Sequence, residues 1–221
     1  MKAVIFDLDG TLINSAICFK EMKSRIIRHL ESRGVIHGLL NDGMLNFEIT
    51  RLAVENLRLK SFSEEHIQQI LGEASEIMNE IELGSLDGAT LVEGVPGTLK
   101  ALKAKGLRLG IITRGCREYA ERILSRFGLR KYFDAVVARD DVDRPKPDPE
   151  HARQLLKALD VAAKDALFVG DHWSDAECAR RSGVEFLFVR KRGQSVDAPE
   201  AFGFPTVGDI EEIVRFIGAN R

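Results

Sequence analysis

The sequence predicts an α/β protein, a parallel sheet flanked by helices with a small all-helical unit inserted after the first strand. Three observations lead there. Short apolar runs alternate with helical patterns from Leu91 onward. Residues Ser15 to Asp87 carry helical stripes and no strand signal. Gly106, Gly128 and Gly183 each stand just past a helical segment, where a left-handed C-cap is wanted. A chain of 221 residues is long enough for one domain with a sizeable insertion. The expected division is 1–14 with 88–221 for the α/β core and 15–87 for the helical cap.

The first strand is "KAVIFD", an apolar run that ends on a carboxylate. In the insertion, Phe19, Met22, Ile26 and Leu30 recur at helical spacing, as do Leu45, Ile49 and Leu52. A third stripe runs through Ile67, Ile70, Leu71, Ala74, Ile77, Met78 and Ile81, and Ser63 before Glu64 and Glu65 is its expected start. Beyond the insertion the spacing predicts helices over Pro96–Lys105, Arg117–Phe127, Pro149–Leu159 and Asp175–Arg181. Between and after them come strands at Leu107–Thr113, Phe133–Ala138, Ala166–Asp171 and Glu185–Val189. These runs are mainly apolar rather than alternating, as buried parallel strands are. The order of elements is that of a Rossmann-like sheet.

Charge narrows the function classes. The net charge is −2, and 15–87 holds eight Lys/Arg against twelve Asp/Glu. Neither balance suits a dedicated nucleic-acid binder. No run of 18 apolar residues predicts a membrane span. The N-terminal apolar run is broken by Asp7, too early for a signal peptide. Cys18, Cys116 and Cys178 are scattered and odd in number, which predicts reduced thiols and a cytoplasmic protein.

Open parallel sheets put their ligand sites at the carboxyl ends of the strands. Asp7 and Asp9 end the first strand, and Thr113, Arg114 and Gly115 end the next in "LGIITRG". Lys146 lies in the loop "DRPKPDP", and "FVGDHWSD" brings Asp171 and, four residues on, Asp175. Four carboxylates, a hydroxyl and an ammonium are thereby expected on one rim. Crowded carboxylates stay ionised together only beside a cation. Oxygen-only donors select a hard ion, so the cofactor expected is Mg²⁺. Such an ion, with a lysine, a threonine hydroxyl and backbone N–H groups, makes a cradle for a phosphoryl group. One carboxylate can then attack phosphorus, and the other can protonate the leaving oxygen and later activate water. Gly10 allows the sharp turn that brings Asp9 back over the site. A shared ion would be excluded if Asp7 lay more than about 8 Å from Asp171, since each ligand bond spans roughly 2 Å.

These residues also carry a resemblance. "DLDGT" at Asp7–Thr11 resembles the signature of the haloacid dehalogenase-like superfamily, and the other three motifs follow in order. They are the strand ending at Thr113, Lys146 in "KPDP", and Gly170–Asp171 with Asp175. The helical insertion after the first motif is similar to that of the phosphoglycolate-phosphatase-like branch. The resemblance implies Asp7 as nucleophile and metal ligand. It implies Asp9 as general acid/base and metal ligand through its backbone carbonyl, with Asp171 as a further ligand. Thr113 and Lys146 would hold the phosphoryl group, with Arg114 and Gly115 beside them. Asp175 would support the metal or position Lys146, with Gly10 and Thr11 supporting the first motif. Asp175 reads equally well as a helix N-cap. Arg114 either reaches a second anionic group of the substrate or packs outward.

The implied activity is Mg²⁺-dependent hydrolysis of a small phosphorylated metabolite through an aspartyl phosphate, with the cap closing over a phosphoglycolate-type substrate. The expected partner is that substrate alone, with no nucleic acid and no membrane, for a monomer or homodimer. A β-phosphoglucomutase-like phosphotransferase shares the motifs. A phospho-accepting signalling receiver uses the same residue types, but its acidic pair and phosphoacceptor lie on different strands.

Overall fold

A computed structural model describes residues 1–190 and 203–219. The parts of the expected core at 191–202 and 220–221 lie outside the described residues. The chain divides into two compact units, Met1–Ser15 with Gly88–Arg221, and Ala16–Asp87.

The first unit is built on six parallel strands. They are β1 (Ala3–Phe6), β4 (Arg108–Ile112), β5 (Ala135–Val137), β6 (Ala166–Gly170), β7 (Glu185–Val189) and β8 (Thr206–Val207), in the order β5-β4-β1-β6-β7-β8. Register is set by β1 at the centre, where Phe6 pairs with Ile111 on one side and Val169 on the other. Side chains alternate between faces. Ala3, Ile5, Phe168, Phe186 and Phe188 join one core with Ala152 and Leu155 of α6 (Pro149–Leu159) and Ala176 and Ala179 of α7 (Trp173–Ser182). The alternate residues Val4, Phe6, Leu109, Ile111, Leu167, Val169 and Leu187 are buried too. Both faces are therefore covered, which explains the mainly apolar strands. The unit also contains α4 (Val95–Ala104), α5 (Arg117–Arg126) and α8 (Glu212–Ala219). A two-stranded antiparallel ribbon of β2 (Ile13–Asn14) and β3 (Thr90–Leu91) stands where the chain departs for the insertion and where it returns.

The second unit is all-helical among its residues, with α1 (Phe19–Ser32), α2 (Asn46–Leu59) and α3 (Glu64–Gly84). Its core takes Met22, Ile26 and Leu30 from α1, Ile49, Ala53 and Leu57 from α2, and Ile67, Ile70, Ala74 and Met78 from α3. Leu52, Leu71, Ile77 and Ile81 of the expected stripes are only partly buried, and two further members depart more clearly. Phe19, the first residue of α1, is 47% exposed, and Leu45 is the N-cap of α2 rather than an interior residue. Ser63 does cap α3, its hydroxyl accepting from the His66 N–H at 3.2 Å. Among the described residues no helix is long and apolar enough to cross a membrane.

Candidate active site

The carboxyl ends of β1, β4 and β6 gather the residues singled out above. The Asp7 N–H donates to the Val169 carbonyl at 3.0 Å, continuing the ladder one residue past the strand. The chain then folds back on itself. Gly10 takes a φ of 97°, which favours glycine, and donates to the Ile13 carbonyl at 2.7 Å. Thr11 is carried by this turn to Asp171, where its hydroxyl donates to Oδ1 at 3.2 Å.

Asp7, Asp171 and Asp175 each offer a carboxylate oxygen within 4.8 Å of the others, so Asp7 is not held away from Asp171 at the distance that would exclude a shared ion. Gly170 makes this approach possible, because a Cβ there would stand 2.6 Å from Oδ2 of Asp175. The N-cap of α7 is His172, not Asp171 or Asp175. Its Nδ1 accepts from the Ser174 N–H, while Oδ2 of Asp175 accepts from the His172 N–H at 3.1 Å. Oδ1 of Asp175 is thereby left to Lys146, whose Nζ donates to it at 2.8 Å and to Oδ1 of Asp7 at 2.6 Å. Lys146 is fully buried, its Nζ 5.7 Å from the centre of the Phe168 ring. Such a charge is tolerated inside a protein only when paired.

The electrostatics follow from burial. Asp7 is only 7% exposed, and burial pushes its carboxyl above the usual range. Lys146 opposes this, the Asp175 charge adds to it, and Arg114 pulls the other way more weakly. Burial alone would lower the Lys146 ammonium, but Asp175 and Asp7 hold it above the ordinary lysine value. Three clustered carboxylates exceed what one ammonium neutralises. Their all-oxygen donor set and close spacing fit a hard divalent cation.

The Asp9 carboxylate lies outside that trio. Its Oδ1 accepts from the Tyr119 hydroxyl at 2.7 Å and its Oδ2 from the Thr113 hydroxyl at 3.4 Å. Thr113 is fully buried and its oxygen accepts from the Gly115 N–H at 3.0 Å, so that N–H braces the threonine. Arg114 is half-buried, and its carbonyl accepts from the Arg139 guanidinium at 3.1 Å.

Sequence reasoning missed two residues here. His151 is fully buried, with Nδ1 accepting from the Lys146 N–H at 3.2 Å and Nε2 2.9 Å from the Val137 carbonyl. The same carbonyl accepts from the Thr113 N–H at 3.1 Å, so His151 ties the lysine loop to the threonine strand. Burial first, then the Lys146 charge, pushes its imidazole down to about 3, so it is neutral. His151 sits in the buried α6 stripe with Ala152, Leu155, Leu156 and Leu159, a pattern that by itself signals only core. Tyr119 likewise sits in the buried stripe of α5, with Ala120, Ile123 and Leu124.

A family model described as haloacid dehalogenase-like hydrolase matches residues 4–189. The plasmid phosphoglycolate phosphatase of Cupriavidus necator is 30% identical over 214 residues, covering 95% of this chain and 90% of that protein. The validoxylamine A 7′-phosphate phosphatase of Streptomyces hygroscopicus subsp. limoneus is 31% identical over 186 residues, covering 83% of each. Among solved structures, one from Thermotoga maritima, provisionally designated a β-phosphoglucomutase, is 27% identical. It superposes with a TM-score of 0.64 and covers 99% of both chains.

Proposed function

The chain belongs to the haloacid dehalogenase-like hydrolase family, and from that premise we propose a Mg²⁺-dependent phosphatase that works through an aspartyl phosphate on Asp7. One observation carries the reading. Three carboxylates and a buried lysine that bonds two of them share one sheet edge, with Asp9 two residues from Asp7. When bound by Asp7, Asp171 and the Asp9 backbone carbonyl, with Asp175 in support, Mg²⁺ neutralises these carboxylates and draws charge from the phosphoryl oxygens.

The chain's own groups do the rest. Lys146 pins Oδ1 of Asp7 and leaves Oδ2 to attack phosphorus. As that bond forms, the bond to the leaving oxygen breaks. Its electron pair stays on the oxygen, which takes a proton from the Asp9 carboxyl. Thr113, braced by Gly115, and Lys146 hold the phosphoryl oxygens, and Arg114 adds positive charge nearby. Water then gives a proton to Asp9 and attacks phosphorus. The bond to Asp7 breaks and inorganic phosphate leaves, with both carboxyl groups restored.

The substrate we propose is a small phosphoester of the phosphoglycolate type, in line with what the Cupriavidus relative's name says of that protein. The three free thiols support a cytoplasmic location. Asp7→Asn is expected to abolish phosphate release from a panel of phosphorylated metabolites while leaving the circular dichroism spectrum unchanged. Wild-type release is expected to require added Mg²⁺. Wild-type turnover by Asp7→Asn would remove the nucleophile. The Thermotoga structure favours a second reading, phosphoryl transfer between sugar positions. Incubation with β-glucose 1-phosphate separates the two, yielding glucose 6-phosphate in one case and free phosphate in the other.

A further inference from the structure

We propose that Tyr119 is a positioning residue for the general acid. It would pin one oxygen of the Asp9 carboxyl so that the other carries the transferable proton. The proposal rests on the reading of Asp9 given above. Tyr119 is fully buried, yet its hydroxyl stands 2.7 Å from Oδ1 of Asp9, which is itself partly exposed. A phenylalanine would fill the same apolar stripe of α5. The phenol's added function is its O–H, and a buried phenol needs an acceptor. Here the acceptor is the carboxyl on which the proton transfers turn.

The surrounding chain is shaped for this contact. A Cβ on Gly115 would lie 2.9 Å from Cδ1 of the Tyr119 ring and 3.4 Å from the Thr113 hydroxyl oxygen. A bare backbone at Gly115 thus lets the ring sit against the loop that follows β4. The Tyr119 N–H donates to Sγ of Cys116, the N-cap residue of α5, at 3.4 Å, which fixes the start of the helix that carries the ring. With Oδ1 accepting the phenol, Oδ2 is the atom that gives its proton to the leaving oxygen and later takes one from water. Its second neighbour, the Thr113 hydroxyl, is the longer contact at 3.4 Å. Positioning matters because proton transfer requires the donor within hydrogen-bond reach of the receiving atom.

The readout is leaving-group dependence. Phenolate departs poorly unless protonated, whereas p-nitrophenolate departs unaided, so the ratio of kcat/KM for phenyl phosphate to that for p-nitrophenyl phosphate reports the acid. General acid catalysis contributes about 10²–10⁴-fold. Asp9→Asn is expected to lower the ratio by about a hundredfold and Tyr119→Phe by about tenfold, with unchanged KM. Cys116→Ser perturbs the same helix start without touching the phenol, and is expected to leave the ratio alone. If Asp9→Asn lowers the ratio and Tyr119→Phe does not, the proposal falls and the acid assignment stands. If neither variant changes it, the assignment of Asp9 fails and takes the proposal with it. Equal loss on both substrates in Tyr119→Phe, or a ratio lowered as much by Cys116→Ser, would make Tyr119 a structural residue only.

Discussion

The rim depends on individual side chains held by more than one partner, and His151 shows what that costs. Its imidazole can accept from the Lys146 N–H only while Nδ1 is unprotonated. Its pKa, lowered from 6.5 to about 3 chiefly by burial, keeps it so. Between those two values the unfolded chain binds a proton at this position and the folded chain does not. The contribution of His151 to stability therefore falls as pH drops from 6.5 towards 3 and is level above that window, with a loss of up to about 5 kcal/mol at the acid end. His151→Gln keeps a donor and an acceptor but does not titrate. It is expected to be less stable than wild type at pH 7.5 by about 1 kcal/mol, a gap that narrows or reverses by pH 4.5. Urea unfolding at both pH values checks this, and a constant gap would mean that His151 is not held neutral. Asp7, Thr113 and Asp171 were legible as candidates because strand ends with charged or hydroxyl residues stand out against apolar runs, and Lys146 because of its place in the loop "DRPKPDP". His151 and Tyr119 were not, because a polar atom at the tip of a side chain in a buried stripe looks like core until its partner in space is known.

At the scale of elements, helix starts decide local stability. The Ser63 hydroxyl satisfies one otherwise unpaired N–H of α3, and Glu64 and Glu65 favour the positive end of the helix dipole. Ser63→Ala is expected to cost about 1 kcal/mol and Ser63→Asp to recover most of it. Chemical denaturation of the three proteins checks this, and an Asp variant no better than Ala would mean the cap contributes nothing. Long elements with clear periodicity were legible in the sequence; Pro149–Leu159 and Glu185–Val189 match α6 and β7 end to end. Where expectation and structure part, a specific contact explains the difference. The strand expected from Phe133 begins at Ala135, because Oδ2 of Asp134 takes the Leu109 N–H that a longer ladder would have used. Helix α7 begins two residues before Asp175 because His172 caps it. The paired segments Ile13–Asn14 and Thr90–Leu91, and the short strand Thr206–Val207, carry no period at all, since two residues become a strand only through the neighbour they pair with.

For the whole molecule, that ribbon suggests how an insertion of this size coexists with a complete sheet. Asn14 stands opposite Thr90 in an antiparallel pair, with the Asn14 amide donating to the Thr90 hydroxyl at 3.4 Å and the Val92 N–H to the Leu12 carbonyl at 3.1 Å. Opposed residues in such a pair lie about 4.5–5.5 Å apart, a gap that short hairpin loops close routinely. Joining Ser15 directly to Gly88 would leave Ser15, Gly88 and Ala89 as the connection, a loop of common length with a glycine inside it. The strands, the helices α4 to α8 and every residue of the carboxylate trio with Lys146, Thr113 and Asp9 lie within the retained unit. The shortened chain is therefore expected to unfold in one cooperative thermal transition. It should also hydrolyse p-nitrophenyl phosphate in a manner abolished by Asp7→Asn, because the proposed chemistry uses only groups that remain. Specificity among metabolites is expected to collapse in the same protein, since the segment removed is the cap that the resemblance implies closes over the substrate. Calorimetry and the metabolite panel together decide the matter. A broad, non-cooperative transition would mean that the sheet unit needs its insertion to fold, and an undiminished preference for one metabolite would put substrate reading in the core.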